Sequence, residues 1–112
     1  MQLSEDIIQE KIFKWYHNNY CLKIHSPQHL IFSVPNGGYR NKREAVKFKS
    51  TGLIAGVSDL IIIQPRRIIF VEVKTTTGIQ SASQKRFEKI VTKLGFEYYL
   101  VRSLEDFKNK II

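Results

Sequence analysis

Between Ser58 and Gly78 the chain reads SDLIIIQPRRIIFVEVKTTTG, two apolar runs parted by QPRR. That link is too short for a crossover, and Pro65 marks a reversal, so Leu60–Ile63 and Ile68–Val73 are predicted to form an antiparallel hairpin. Strands this apolar are normally interior, where an acid followed two positions later by a lysine is costly without a partner or a metal. Asp59, Glu72 and Lys74 are the misfit. Residues i and i+2 of a strand share a face, so Phe70, Glu72 and Lys74 point one way and Ile69, Val71 and Val73 the other. If Pro65 and Arg66 alone form the loop, Gln64 pairs with Arg67, and counting back sets Asp59 opposite Glu72. A loop longer by one residue turns Asp59 to the other face unless a bulge or the twist restores it.

The flanking sequence supplies the rest of an α/β pattern. Ser4 is suited to cap a first helix, with Glu5 and Asp6 in its first turn and Ile7, Ile8, Ile12, Trp15 and Tyr16 forming an apolar arc. Glu10 lies beside that arc, and its default role is an i, i+4 pair with Lys14. A strand over HLIFSV ends at Pro35, and Asn36, Gly37 and Gly38 make a loop with an approachable backbone. Asn41 to Glu44 has capping-box spacing, and Ala45, Val46, Phe48 and Lys49 suit a short helix that stops at Gly52. Ser81 and Gln84 form another capping box, before a helix carrying Phe87, Ile90, Val91 and Leu94 on one face and ending at Gly95. EYYLV is a last strand, and Ser103 caps a final helix. The order α-β-α-β-β-α-β-α predicts an α/β fold, a mixed central sheet flanked by helices, in a single domain over residues 1–112.

At 43% hydrophobic and 25% charged, the 112 residues have the composition of an ordinary globular domain. The longest aliphatic runs are far below a membrane span, and the opening MQLSEDII lacks the features of a leader, so a cytoplasmic protein is expected. Cys21 is the only cysteine. His17, Cys21, His25 and His29 recur at spacing four, but Pro27 interrupts the helix that would make them a zinc face. The formal net charge of +8 is unevenly spread, with Arg40, Lys42, Arg43, Lys47 and Lys49 in one segment and Arg66 and Arg67 in another. This surplus fits a polyanionic partner and fits a solvated basic face equally well.

Two carboxylates and an ammonium group at the open end of a hairpin have a chemical use. Carboxylate oxygens hold Mg²⁺ or Mn²⁺ with sites left for water and a phosphate oxygen. A lysine beside them can orient the water or stabilise developing charge, which is the equipment for phosphodiester hydrolysis. The competing interpretation is a cross-strand salt bridge from Asp59 or Glu72 to Lys74.

GVSDLIII, IIFVEVKTTTG and SASQ, together with PNGGYR upstream and a leading helix that carries an acid, resemble the motifs of the PD-(D/E)xK nuclease superfamily. The ordered set is most similar to the virus-type replication-repair nuclease (VRR-NUC) domain, over Glu10 to Val101. The resemblance implies a restriction-endonuclease-like core and a metal-dependent DNA nuclease acting on structured DNA such as branched junctions or flaps. It implies Asp59 and Glu72 as ligands of Mg²⁺ or Mn²⁺, with the Val73 carbonyl as a further ligand and Lys74 as the catalytic lysine. Glu10 matches the acid supplied by the first helix, and Gln84 a glutamine supporting the site. Ser58 departs from the proline usual before the aspartate. The loop Asn36, Gly37, Gly38 and Arg40, with Lys42, Arg43 and Lys47 behind it, is suited to DNA phosphates. Cutting both strands of a junction needs two active sites, so a homodimer is expected. The alternative is a non-catalytic DNA-binding module that keeps the fold.

Overall fold

The hairpin forms the centre of the sheet. The computed structural model describes residues 2–35 and 50–112. The helix expected from Asn41 to its stop at Gly52 lies outside these residues as far as Lys49, as does the loop before it, and Gly52 takes a positive φ of 109°. In chain order the described elements are α1 (Glu5–Tyr16), β1 (Leu30–Ser33), β2 (Leu60–Gln64), β3 (Arg67–Val73), α2 (Ala82–Lys93), β4 (Glu97–Val101) and α3 (Leu104–Ile111). A π-helical turn, His17–Cys21, continues α1 where the helical pattern of the sequence fades. The four strands lie in sequence order, β1-β2-β3-β4. The first three are antiparallel and β4 runs parallel to β3, joined to it through α2. This is the mixed sheet with flanking helices that the sequence predicts.

The hairpin closes through a two-residue loop, with Gln64 facing Arg67 and Leu60 facing Val71. Arg66 takes the left-handed conformation there, with φ 61°. One face of the sheet presents Leu60, Ile62, Ile69, Val71, Val73 and Val101 to Ile8, Ile12 and Tyr16 of α1 and Phe107 and Ile111 of α3, making the main core. On the other face Phe70 and Tyr98 pack against Phe87 and Val91 of α2. This second cluster is smaller, and it is the face to which alternation assigns Glu72 and Lys74. Caps read from the sequence are formed: Ser4 accepts from the Ile7 N–H, Ser103 from that of Asp106, and Ser81 and Gln84 complete a capping box. At the far end of the hairpin Arg67 pairs with Glu97 of β4, and this partner holds the Glu97 carboxyl below the usual range. No described helix is long and apolar enough to cross a membrane.

Candidate active site

The ladder from Gln64–Arg67 to Leu60–Val71, continued by one step, brings Asp59 opposite Glu72. Asp59 is tied on two sides. Its side chain accepts a 2.7 Å hydrogen bond from the Val73 N–H, and its backbone carbonyl accepts one of 3.0 Å from Val34. Glu72 is fully buried, and among the described residues neither of its carboxylate oxygens has a hydrogen-bond partner. Burial is the largest force on it, followed by the Asp59 carboxylate beside it. Together they push its pKa up from 4.5 to about 9, against a smaller downward pull from Lys74. The charge of Glu5, in the first turn of α1, adds to the upward push. Lys74 is 8% exposed, and its backbone N–H donates to the Val101 carbonyl at 3.0 Å, carrying the parallel ladder one residue past β3. Among the described residues neither acid forms an ion pair with Lys74. The cross-strand salt bridge is therefore not how the site is balanced.

Several residues frame these three, and the roles of Tyr98 and Arg102 among them carry no obvious signal in the sequence. Gly56, at φ 83°, lies so close to the start of α2 that a Cβ there would meet the Ser83 carbonyl oxygen at 2.2 Å. The turn before Asp59 is thus pressed against the helix whose first turn contains Gln84. Ser58 is fully buried and its hydroxyl donates to the Leu60 carbonyl. Tyr98, whose pKa is raised first by burial and then by the charge of Glu72, accepts a hydrogen bond from Gln80 at 3.1 Å. Arg102 donates from Nη1 to the carbonyls of both Thr75 and Gly78, each at 2.7 Å. Its partners are 24 and 27 residues away in the chain, so no local pattern reveals the contact.

Glu10 and Gln84 are engaged elsewhere. Glu10 pairs with Lys14 at 2.7 Å on an exposed surface, which lowers its pKa through the Lys14 hydrogen bond and charge. It lines a groove of about 270 Å³ with Ser33 and Leu60. The acid of α1 whose charge reaches Glu72 is Glu5. The Gln84 side-chain oxygen accepts from the Ser81 N–H at 2.8 Å, so its carbonyl end completes the helix cap. Asn36, Gly37, Gly38, Arg40, Lys42, Arg43 and Lys47 lie outside the described residues. His25 accepts from the Leu22 N–H, and His29 shares a 2.8 Å hydrogen bond with the Tyr16 hydroxyl. Among the described residues no three His, Cys, Asp or Glu side chains form a metal-holding group.

The donor set of the hairpin end fits a divalent cation. Two carboxylates face each other, and the oxygens of the buried one have no hydrogen-bond partner among the described residues. An oxygen-seeking ion of high charge would satisfy them, and two protein carboxylates leave room for other oxygen ligands.

The chain matches the family model of the VRR-NUC domain over residues 3–105. Of the solved structures, a protein described as a VRR_NUC domain protein superposes with a TM-score of 0.77 at 23% identity, covering 99% of this chain and 87% of its own. Another, described as a VRR_NUC domain, gives a TM-score of 0.62 at 21% identity over 97% of this chain and 96% of its own. No curated protein matches. At these identities the superpositions establish a shared fold, and the family match extends across nearly the whole chain. The chain belongs to the VRR-NUC domain family, a family of nuclease type.

Proposed function

We propose that the protein is a metal-dependent nuclease that hydrolyses phosphodiester bonds in DNA, with structured or branched DNA as its substrate. The observation that carries this reading is Glu72, a fully buried carboxylate beside a second carboxylate, with both its oxygens unpartnered among the described residues. Asp59 and Glu72 would hold Mg²⁺ or Mn²⁺, with the Val73 carbonyl as a further ligand. When bound, the ion supplies Lewis acidity at the phosphoryl group and lowers the pKa of water. The chain's own residues do the positioning. The Val73 N–H fixes the Asp59 side chain, and Glu72 would release its proton to solvent where a cation takes its place. The Lys74 ammonium stabilises charge developing on the phosphate oxygens, and its low exposure strengthens that interaction by excluding water. The Gln84 amide nitrogen is left to support the site or meet DNA. Glu10 would act only after leaving Lys14. Two copies of the chain, a homodimer, would cut opposed strands of a junction.

A DNA-binding module without activity is the weaker reading, because it gives no reason to retain an unsatisfied buried Glu72. Labelled linear duplex, flap and four-way junction DNA, each with Mg²⁺, Mn²⁺ or EDTA, test the proposal. Cleavage is expected with metal alone, and fastest on a branched form. Binding without cleavage under every metal condition would leave the module.

A further inference from the structure

Lys74 has a problem that the site does not solve by itself. Its stem is long and flexible, and among the described residues its ammonium forms no ion pair. Among the described residues, contacts reach its stem and the backbone that follows. That backbone is the turn Thr75–Gly78. The Gly78 N–H donates to the Thr75 carbonyl at 3.2 Å and to the Thr75 hydroxyl at 3.1 Å. A Cβ at Gly78 would lie 3.5 Å from Lys74 Cδ, so the end of the turn runs beside the lysine stem.

Arg102 clamps this turn. Its Nη1 donates to the carbonyls at both ends of the turn, Thr75 and Gly78, at 2.7 Å each. It is fixed in its own right, because its backbone N–H donates to the Asp106 carboxylate at 2.9 Å, and Asp106 also accepts from Lys110 at 3.2 Å. The preceding residue, Val101, accepts the Lys74 N–H. One short segment at the end of β4 therefore holds Lys74 by its backbone and the turn beyond it by both carbonyls. Without the guanidinium the turn keeps only its internal hydrogen bonds, and Thr76 and Thr77 are exposed.

Building on the nuclease reading, we propose that Arg102 is a positioning residue that sets the place of the Lys74 ammonium by locking the Thr75–Gly78 turn, without touching substrate. Misplacing a catalytic group by about 1 Å costs on the order of 100-fold in rate. Arg102→Met keeps the stem volume and removes the donors, and Arg102→Lys returns a donor to the end of a long stem.

The test combines single-turnover cleavage, DNA binding, thermal melting and acetylation of the folded protein, with lysine modification read by peptide mass spectrometry. Arg102→Met should cut about 10- to 100-fold more slowly. Its DNA Kd should stay within about twofold, and Arg102→Lys should recover part of the rate. Acetylation of Lys74, slow in the wild type, should rise severalfold in Arg102→Met relative to the exposed Lys85 of the same digest. A wild-type rate with unchanged Lys74 labelling would overturn the inference. So would a rate loss that follows the unfolded fraction, or one matched by weaker DNA binding. If the wild type cuts no DNA, the nuclease reading fails, and the Lys74 labelling still decides whether Arg102 orders the lysine.

Discussion

Glu72 concentrates the electrostatic tension of the molecule in one side chain. Its folded pKa, about 9, lies above the ordinary 4.5, so the folded state binds a proton that the unfolded state releases. Stability contributed by that proton is fully present below pH 4.5 and is lost as pH rises through about 9 in metal-free protein. At pH 9 the two carboxylates begin to repel as charges. Asp59→Asn removes one charge yet can still accept from the Val73 N–H. In EDTA at pH 9 this variant should melt higher than wild type by roughly 4 °C, the equivalent of about 1 kcal/mol. Mg²⁺ at ten to a hundred times its Kd should raise wild-type stability by on the order of 1–3 kcal/mol, and should raise that of the variant less. A variant that melts lower in EDTA and responds fully to Mg²⁺ would make Asp59 a structural acceptor for Val73 and remove it from the metal site.

Among the elements, the contact between the turn before Asp59 and the start of α2 does most to define the site. Gly56 makes it possible by having no side chain: its φ is 83°, and the backbone of Ser83 occupies the space a Cβ would need. Gly95 is a natural control, with φ 95° and nothing within 4 Å of a Cβ. Gly95→Ala should cost about 1–2 kcal/mol, the left-handed penalty alone. Gly56→Ala should cost more than that, because backbone must also move, and its cleavage should fall beyond what the loss of folded protein explains. Equal stability losses with equal activities, compared by thermal melting and cleavage rate, would show that the turn and α2 need not touch. The sequence shows a glycine in a turn ahead of an aspartate, and it shows a capping box at Ser81 and Gln84. That the two meet depends on how α2 crosses the sheet, which no local signal contains.

Over the whole molecule, legibility follows the distance between interacting residues. The β2–β3 hairpin and the caps depend on neighbours a few positions apart and are readable from QPRR and from S-x-x-Q spacing, whereas the register followed only if the loop was two residues long, as the structure has it. Glu10 was readable in its ordinary role, paired with Lys14. Arg102, Tyr98 and the field of Glu5 at Glu72 arise from packing between distant segments, and periodicity is blind to them. The same separation of scales applies to function. Affinity for DNA would come mainly from the basic segments of a chain with a net charge of +8, through many weak phosphate contacts. Chemistry would come from Asp59, Glu72 and Lys74 alone. The most direct test is therefore to measure cleavage and binding side by side for the wild type and Lys74→Ala, with Mg²⁺ or Mn²⁺ present. If the hairpin end is the catalytic centre, the variant binds DNA within a few-fold of wild type and cuts it at least about 100-fold more slowly. Cleavage by Lys74→Ala at the wild-type rate would contradict the account.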